Sequence, residues 1–141
     1  MQARLNAALG SQLAAEGGLS YADYVVLVVL TDTPHAAARV HELARYLGWE
    51  RSRVSHHVAR MVERGLVRKE RCTADRRGFI VVVTEAGRRA IEAAAPGHVA
   101  AVRKFFIDAL TGEQLEALAD AADRVVEAID RAEHAPFDGE R

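Results

Sequence analysis

The stretch "WERSRVSHHVARM", residues 49–61, gathers side chains able to do chemistry: His56 and His57, Ser52 and Ser55, and Arg51, Arg53 and Arg60. A metal site needs ligands that converge. Adjacent helical residues point about 100° apart, so His56 and His57 cannot chelate one ion as an i, i+4 pair does. No HExxH pattern or cysteine-rich partner accompanies them. Nucleophilic catalysis needs an activated hydroxyl, but no G-x-S-x-G elbow surrounds Ser11, Ser20, Ser52 or Ser55, and no glycine-rich phosphate loop is present. The expectation is a protein that is not an enzyme and holds no metal or cofactor.

The third chemistry is recognition of a polyanion. Val54, Val58 and Met61 recur at helical spacing, and a helical wheel with Val54 at its centre puts Ser52, His56, Ala59, Arg60 and Glu63 opposite, with Arg53 at the edge. Such a polar surface can enter the major groove of DNA. There Arg reads guanine O6 and N7, Ser adapts to either role, and His offers a donor or an acceptor. His57 lies nearer the apolar side and reads as a packing residue.

Charge along the chain agrees. The net charge of −1 hides a division: residues 39–77 carry +6, residues 1–38 carry −2 and residues 78–141 carry −5. A basic island between acidic ends is the electrostatic footprint of a nucleic-acid contact. Within it, Arg39, Arg64, Arg68 and Lys69 are candidate phosphate contacts, which add affinity without sequence preference. Some of them could instead pair with Glu42, Glu63 or Glu70.

The elements that must position these residues follow from periodicity and caps. Leu5, Leu9 and Leu13 form the stripe of a first helix that Gly17-Gly18 stops. Ser20 and Asp23 form a capping box opening a nearly all-apolar, buried helix through Leu30. "TDTPHAAA" reads as a loop. "RVHELARYL" is a helix ended by Gly48, and the next helix runs from about Glu50 to Glu63; two helices across a tight turn make a helix-turn-helix. "LVRKER" and "FIVVVT", separated by "CTADRRG", predict a β-hairpin with a charged tip. Thr84 caps a long helical pattern through Leu110 in which Pro96 should cause a kink or break. Thr111 and Gln114 form a second capping box before a last helix striped by Leu115, Leu118, Ala122, Val125, Val126 and Ile129. "HAPFDGER" reads as a frayed end.

These residues together resemble one family. "VHELARYLGWERSRVSHHVARMVERGLVRKE" followed by "DRRGFIVVVTEAGRRAI" is similar to the winged helix-turn-helix of the MarR family (multiple antibiotic resistance regulators). The most specific part is Asp75-x-Arg77 followed by Val81, Val83 and Thr84, the family's D-x-R…V-x-L-T pattern with Val for Leu. The resemblance implies a mainly α fold with a small β-hairpin wing: one domain over residues 1–141, with a winged helix-turn-helix at 32–84 and helical dimerisation segments at 1–19 and 85–133. It implies a homodimeric transcriptional regulator, a repressor, bound to double-stranded DNA at a pseudo-palindromic operator. Ser52, Arg53, Ser55 and His56 would face the major groove, and Arg60 would contact the DNA beside them through phosphate. Either Arg77 or Arg76 would enter the minor groove, with Asp75 orienting it, as a narrow minor groove attracts Arg. Family members commonly release DNA when a small aromatic or phenolic effector binds; Tyr21, Tyr24, His35, His41, Trp49 and Phe105 are the candidates by composition.

Two rivals remain. A winged helix that binds protein would need an apolar or acidic recognition surface in place of Arg53, His56 and Arg60. A redox-sensing regulator would use Cys72, where nearby arginines could lower the thiol pKa, but as the only cysteine it has no resolving partner in its protomer. The single cysteine also argues for a reducing compartment. The longest apolar runs, residues 25–30 and 79–83, fall far short of the ~20 residues of a membrane helix, and the N-terminus does not read as a signal peptide. A cytoplasmic protein without membrane contact is expected.

Overall fold

A computed structural model describes residues 1–72 and 78–133. Its elements are α1 (Gln2–Gly17), α2 (Tyr21–Asp32), a 3-10 turn (Pro34–Ala36), β1 (Ala37–Arg39), α3 (Val40–Leu47), α4 (Arg51–Glu63), β2 (Val67–Arg71), β3 (Phe79–Val83), α5 (Glu85–Val102) and, after a π-helical turn over Arg103–Ile107, α6 (Gly112–Glu133). This is the mainly helical winged helix-turn-helix that the sequence predicts. The chain divides into two compact units, Met1–Val102 and Arg103 onward.

The caps form as their chemistry requires. Asp23 N–H donates to Ser20 Oγ (3.0 Å) and Ser20 N–H to Asp23 Oδ2 (2.9 Å), opening α2. Gly48 closes α3 at φ 63°, a left-handed conformation that costs glycine nothing. Gly87 N–H donates to Thr84 Oγ1 (3.0 Å) at the start of α5, and Thr111 and Gln114 form the reciprocal pair that opens α6.

One core holds the first unit. Leu13 of α1, Val26, Leu27 and Leu30 of α2, Leu43 of α3, Val54, Val58 and Met61 of α4, and Val67 and Val81 of the sheet are all fully buried in one cluster. The apolar face of α4 is therefore spent on the core. Its polar face is left outward.

Two expectations change. "TDTPHAAA" is not all loop: Ala37–Arg39 pair antiparallel with β3, Ala38 opposite Val81, giving a three-stranded sheet of order β1-β3-β2. Alanine has little strand propensity, and only the partner strand makes these residues extended. Pro96 does not break α5, which continues to Val102; the departure from α-helical geometry falls at the π-helical turn that follows. In the second unit the stripe of α6 is unburied, with Leu118, Val125, Val126 and Ile129 all exposed.

The wing is pinned to α5 at one close approach. A Cβ added at Gly87 would collide with the Leu66 carbonyl and lie 3.1 Å from Val83 Cγ1. Gly87→Ala must push α5 away from the base of the wing, and urea unfolding should show a loss of about 1–3 kcal/mol. An unchanged midpoint would contradict this packing.

Candidate nucleic-acid interface

The reading face is built on α4. Ser52, Arg53, Ser55, His56 and Arg60 are exposed, while Val54, His57, Val58 and Met61 are buried beneath them. Arg53 is not loose: its guanidinium lies 4.1 Å over the ring of Trp49, just before the helix. A cation held on an aromatic face loses less freedom when it meets a second partner. Arg60 Nη2 sits 3.5 Å from His57 Nδ1. A surface notch of about 350 Å3 opens here, lined by Ser20, Ala22, Trp49, Arg53, His56, His57 and Arg60.

Beneath the face lies a buried carboxylate. Asp23, only 2% exposed, accepts from Arg64 Nη1 at 2.6 Å through Oδ2, and its Oδ1 lies 3.0 Å from His57 Nε2. The His57 contact is in ion-pair range, although its N–H direction departs from the line to the oxygen. Arg64 Nη2 also donates to the Gly18 carbonyl (2.9 Å), tying α4 to the α1–α2 turn. Burial works to raise the Asp23 pKa, but hydrogen bonds from Arg64 and Ser20 and the charge of Arg64 outweigh it and hold the carboxyl below its ordinary 3.8. Burial holds His57 below 6.5 despite the opposing pull of Asp23; the charges of Arg60 and Arg53 add to the lowering.

The remaining candidates divide. Arg64 is half exposed, but its guanidinium is engaged inward by Asp23 and Gly18. Arg68 pairs with Glu70 at 2.6 Å, and Lys69 is exposed on β2. Arg39 donates its backbone N–H to Glu42 (2.7 Å) and its Nη2 to Cys72 Sγ (3.2 Å). Asp75, Arg76 and Arg77 lie outside the described residues.

The six effector candidates fall on several elements. Tyr24 and Tyr21 have ring centroids 4.4 and 6.4 Å from that of His98 on α5; Trp49 belongs to the reading face; His35 sits in the 3-10 turn at φ 61°; His41 is exposed on α3; Phe105 belongs to the second unit. Composition named aromatic residues but carried no distance information. Among the described residues no cluster of His, Cys, Asp and Glu could hold a metal ion.

Sequence reasoning missed the roles of His57, Asp23 and Arg64 as one cluster. Asp23 was visible only as a cap, because its partner Arg64 is 41 positions away. The signal available was a histidine on the buried edge of a basic helix, which needs a hydrogen-bonding partner.

A helix-turn-helix with a cationic outer face and a β-hairpin beside it defines a winged-helix protein. The family model for the MarR family matches residues 17–78. A MarR family transcriptional regulator from Streptomyces coelicolor, solved in complex with DNA, is 36% identical, with 99% of this chain and 84% of that chain covered at a TM-score of 0.86. AbsC, a MarR family regulator from the same organism, is 37% identical over 92% of this chain and 89% of its own, at 0.80. CouR from Rhodococcus jostii, bound to p-coumaroyl-CoA, shares the fold at 21% identity over 98% of this chain and 90% of its own, at 0.70. No curated protein matches the chain. The chain belongs to the MarR family of transcriptional regulators.

The buried histidines make stability depend on pH. Burial depresses both His57 and His98 below 6.5 in the folded chain, so the unfolded chain binds more protons in that range. Their contribution is fully present above about pH 6.5 and is lost as pH falls through the folded values. Asp23 adds a second loss at more acidic pH, as the medium falls through its own depressed value. Thermal unfolding should give a melting temperature that declines from pH 7.5 to 5.5, and His98→Gln should flatten the slope. A melting temperature that rises on acidification over this range would contradict the assignment.

Proposed function

We propose that the chain is a sequence-specific, double-stranded-DNA-binding transcriptional regulator that acts as a homodimer. The single observation that carries this reading is the arrangement of α4: a fully buried apolar face fixes the helix, and the outward face presents Ser52, Arg53, Ser55, His56 and Arg60 within the +6 segment. The Streptomyces relative solved with DNA supports it. A pair of outward-facing reading helices, related by a two-fold axis, would meet successive major grooves, which implies a pseudo-palindromic operator with half-sites about one helical turn apart.

Residues 32–84 serve as the DNA-binding region, and residues 1–19 and 85–133 as the dimerisation region; the exposed apolar stripe of α6 supports a partner there. In the wing, Arg77 or Arg76 enters the minor groove with Asp75 as its orienting partner. Arg39, Arg68 and Lys69 meet phosphates, while the inward engagement of Arg64 favours a structural role. The reading includes repression relieved by a small aromatic or phenolic effector, supported by a relative of the same fold bound to p-coumaroyl-CoA. Work on DNA favours a cytoplasmic location. Among the described residues no single helix is long and apolar enough to cross a membrane.

Two variants test the interface. Arg53→Ala should weaken binding to the preferred duplex by about 1–3 kcal/mol and relax preference at one base pair. Arg77→Ala should weaken binding across many sequences and reduce the salt dependence by about one counterion. Wild-type binding by both variants in a fluorescence titration would overturn the assignments.

A further inference from the structure

His57 stands at the junction between the buried carboxylate and the reading face, and its two ring nitrogens face opposite demands. Nε2 lies 3.0 Å from Asp23 Oδ1, in ion-pair range, and Nδ1 lies 3.5 Å from Arg60 Nη2. A guanidinium can only donate. Nδ1 must therefore present its lone pair to Arg60, and the single proton of the neutral ring sits on Nε2 toward Asp23; the partners assign this tautomer. A proton cannot be added at Nδ1 while Arg60 points at it, since two N–H groups would then face each other. We propose that His57 is a positioning residue for DNA binding: it holds Arg60 in the free protein and, when a phosphate draws Arg60 away, takes up one proton from solvent at Nδ1.

This rests on the DNA-binding reading above and deepens it. The charged and titratable groups around the ring all enter the balance. Asp23 on α2 favours the protonated ring, and its other oxygen is held by Arg64. Arg60 and Arg53 on α4 oppose protonation, with Arg53 drawn onto Trp49, whose ring meets that of His57 edge-on at 6.0 Å. Ser20, at the start of α2, and His56 line the same notch. Duplex phosphates would neutralise the two opposing arginines and leave Asp23 unopposed. The protonated ring then ties α4 to α2 through the charge of Asp23 beside Nε2, while the new N–H at Nδ1 faces the side that Arg60 has left. Burial and the charge of Arg60 both disfavour the protonated ring in the free protein, and Arg60 occupies Nδ1 there, so the proton is gained as Arg60 leaves on binding.

The sign is fixed by linkage. A group with a higher pKa in the complex than in the free protein makes affinity rise as pH falls between the two values, by at most about tenfold per pH unit for one proton. His56, exposed beside the same phosphates, is the rival source of any such slope.

The test is duplex affinity from pH 8.0 to 5.5 at constant salt, on the full chain, with a duplex chosen by selection. Wild type and His56→Gln should both bind more tightly as pH falls, with near-parallel slopes, the variant being weaker throughout. His57→Gln should bind with a nearly flat profile. If His57→Gln does not fold, Arg60→Ala serves, because with Nδ1 no longer occupied the proton is not gained on binding and the slope should likewise shrink. A slope that survives in the His57 or Arg60 variant, or that vanishes in His56→Gln alone, overturns the proposal while leaving DNA binding intact. A pH-independent wild type does the same. Absence of binding at every pH in dilute salt removes the DNA-binding reading and this proposal with it.

Discussion

A carboxylate taken out of water must be paired, and Asp23 is the group on which this constraint falls. It is held by Ser20 from its own cap, Arg64 from beyond the end of α4, and His57 from within α4. Removing a partner of a buried carboxylate is costly because its charge is left uncompensated, although the half-exposed Arg64 is itself partly screened by solvent. The pairing thus acts as an angular constraint. Apolar packing by Val54, Val58 and Met61 tolerates small rotations of α4 about its axis, whereas short polar contacts to a buried oxygen do not. What Asp23 fixes is the direction in which Arg53, His56 and Arg60 point.

The reading face is correspondingly ordered before any ligand arrives. Arg53 rests on Trp49, and Arg60 rests against His57. Side chains that already occupy restricted positions lose less entropy on binding. Cations held apart from carboxylates on an outward face also keep their charge available to an external anion, whereas Arg68 must exchange its exposed pairing with Glu70 to meet one. Similarity to a DNA-bound Streptomyces regulator and this distribution of charge point to the same partner.

The sequence made local features legible. The face of α4, the Ser20–Asp23 and Thr111–Gln114 capping boxes, the glycine stop at Gly48 and the hairpin of β2 and β3 each depend on residues a few positions apart. Features that depend on distant partners were not legible. β1 becomes a strand only because Val81 and Val82 lie beside Ala38 and Ala37. Arg64 reads as one more cation of a basic island, and nothing local reveals that its guanidinium turns back to Gly18 and Asp23. The aromatic residues grouped by composition fall on several elements, and Tyr21 and Tyr24 share a ring neighbour, His98, which composition could not reveal. The charged wing tip, Asp75 to Arg77, lies outside the described residues.

The claim on which the account stands is that the outward face of α4, presented twice by a dimer, reads double-stranded DNA. Selection of bound duplexes from a random pool with the purified chain tests it most directly. The account predicts enrichment of a pseudo-palindrome with half-site centres about 10–10.5 base pairs apart. Recovery of a pool indistinguishable from the input, even at low ionic strength where phosphate contacts are strongest, would contradict it.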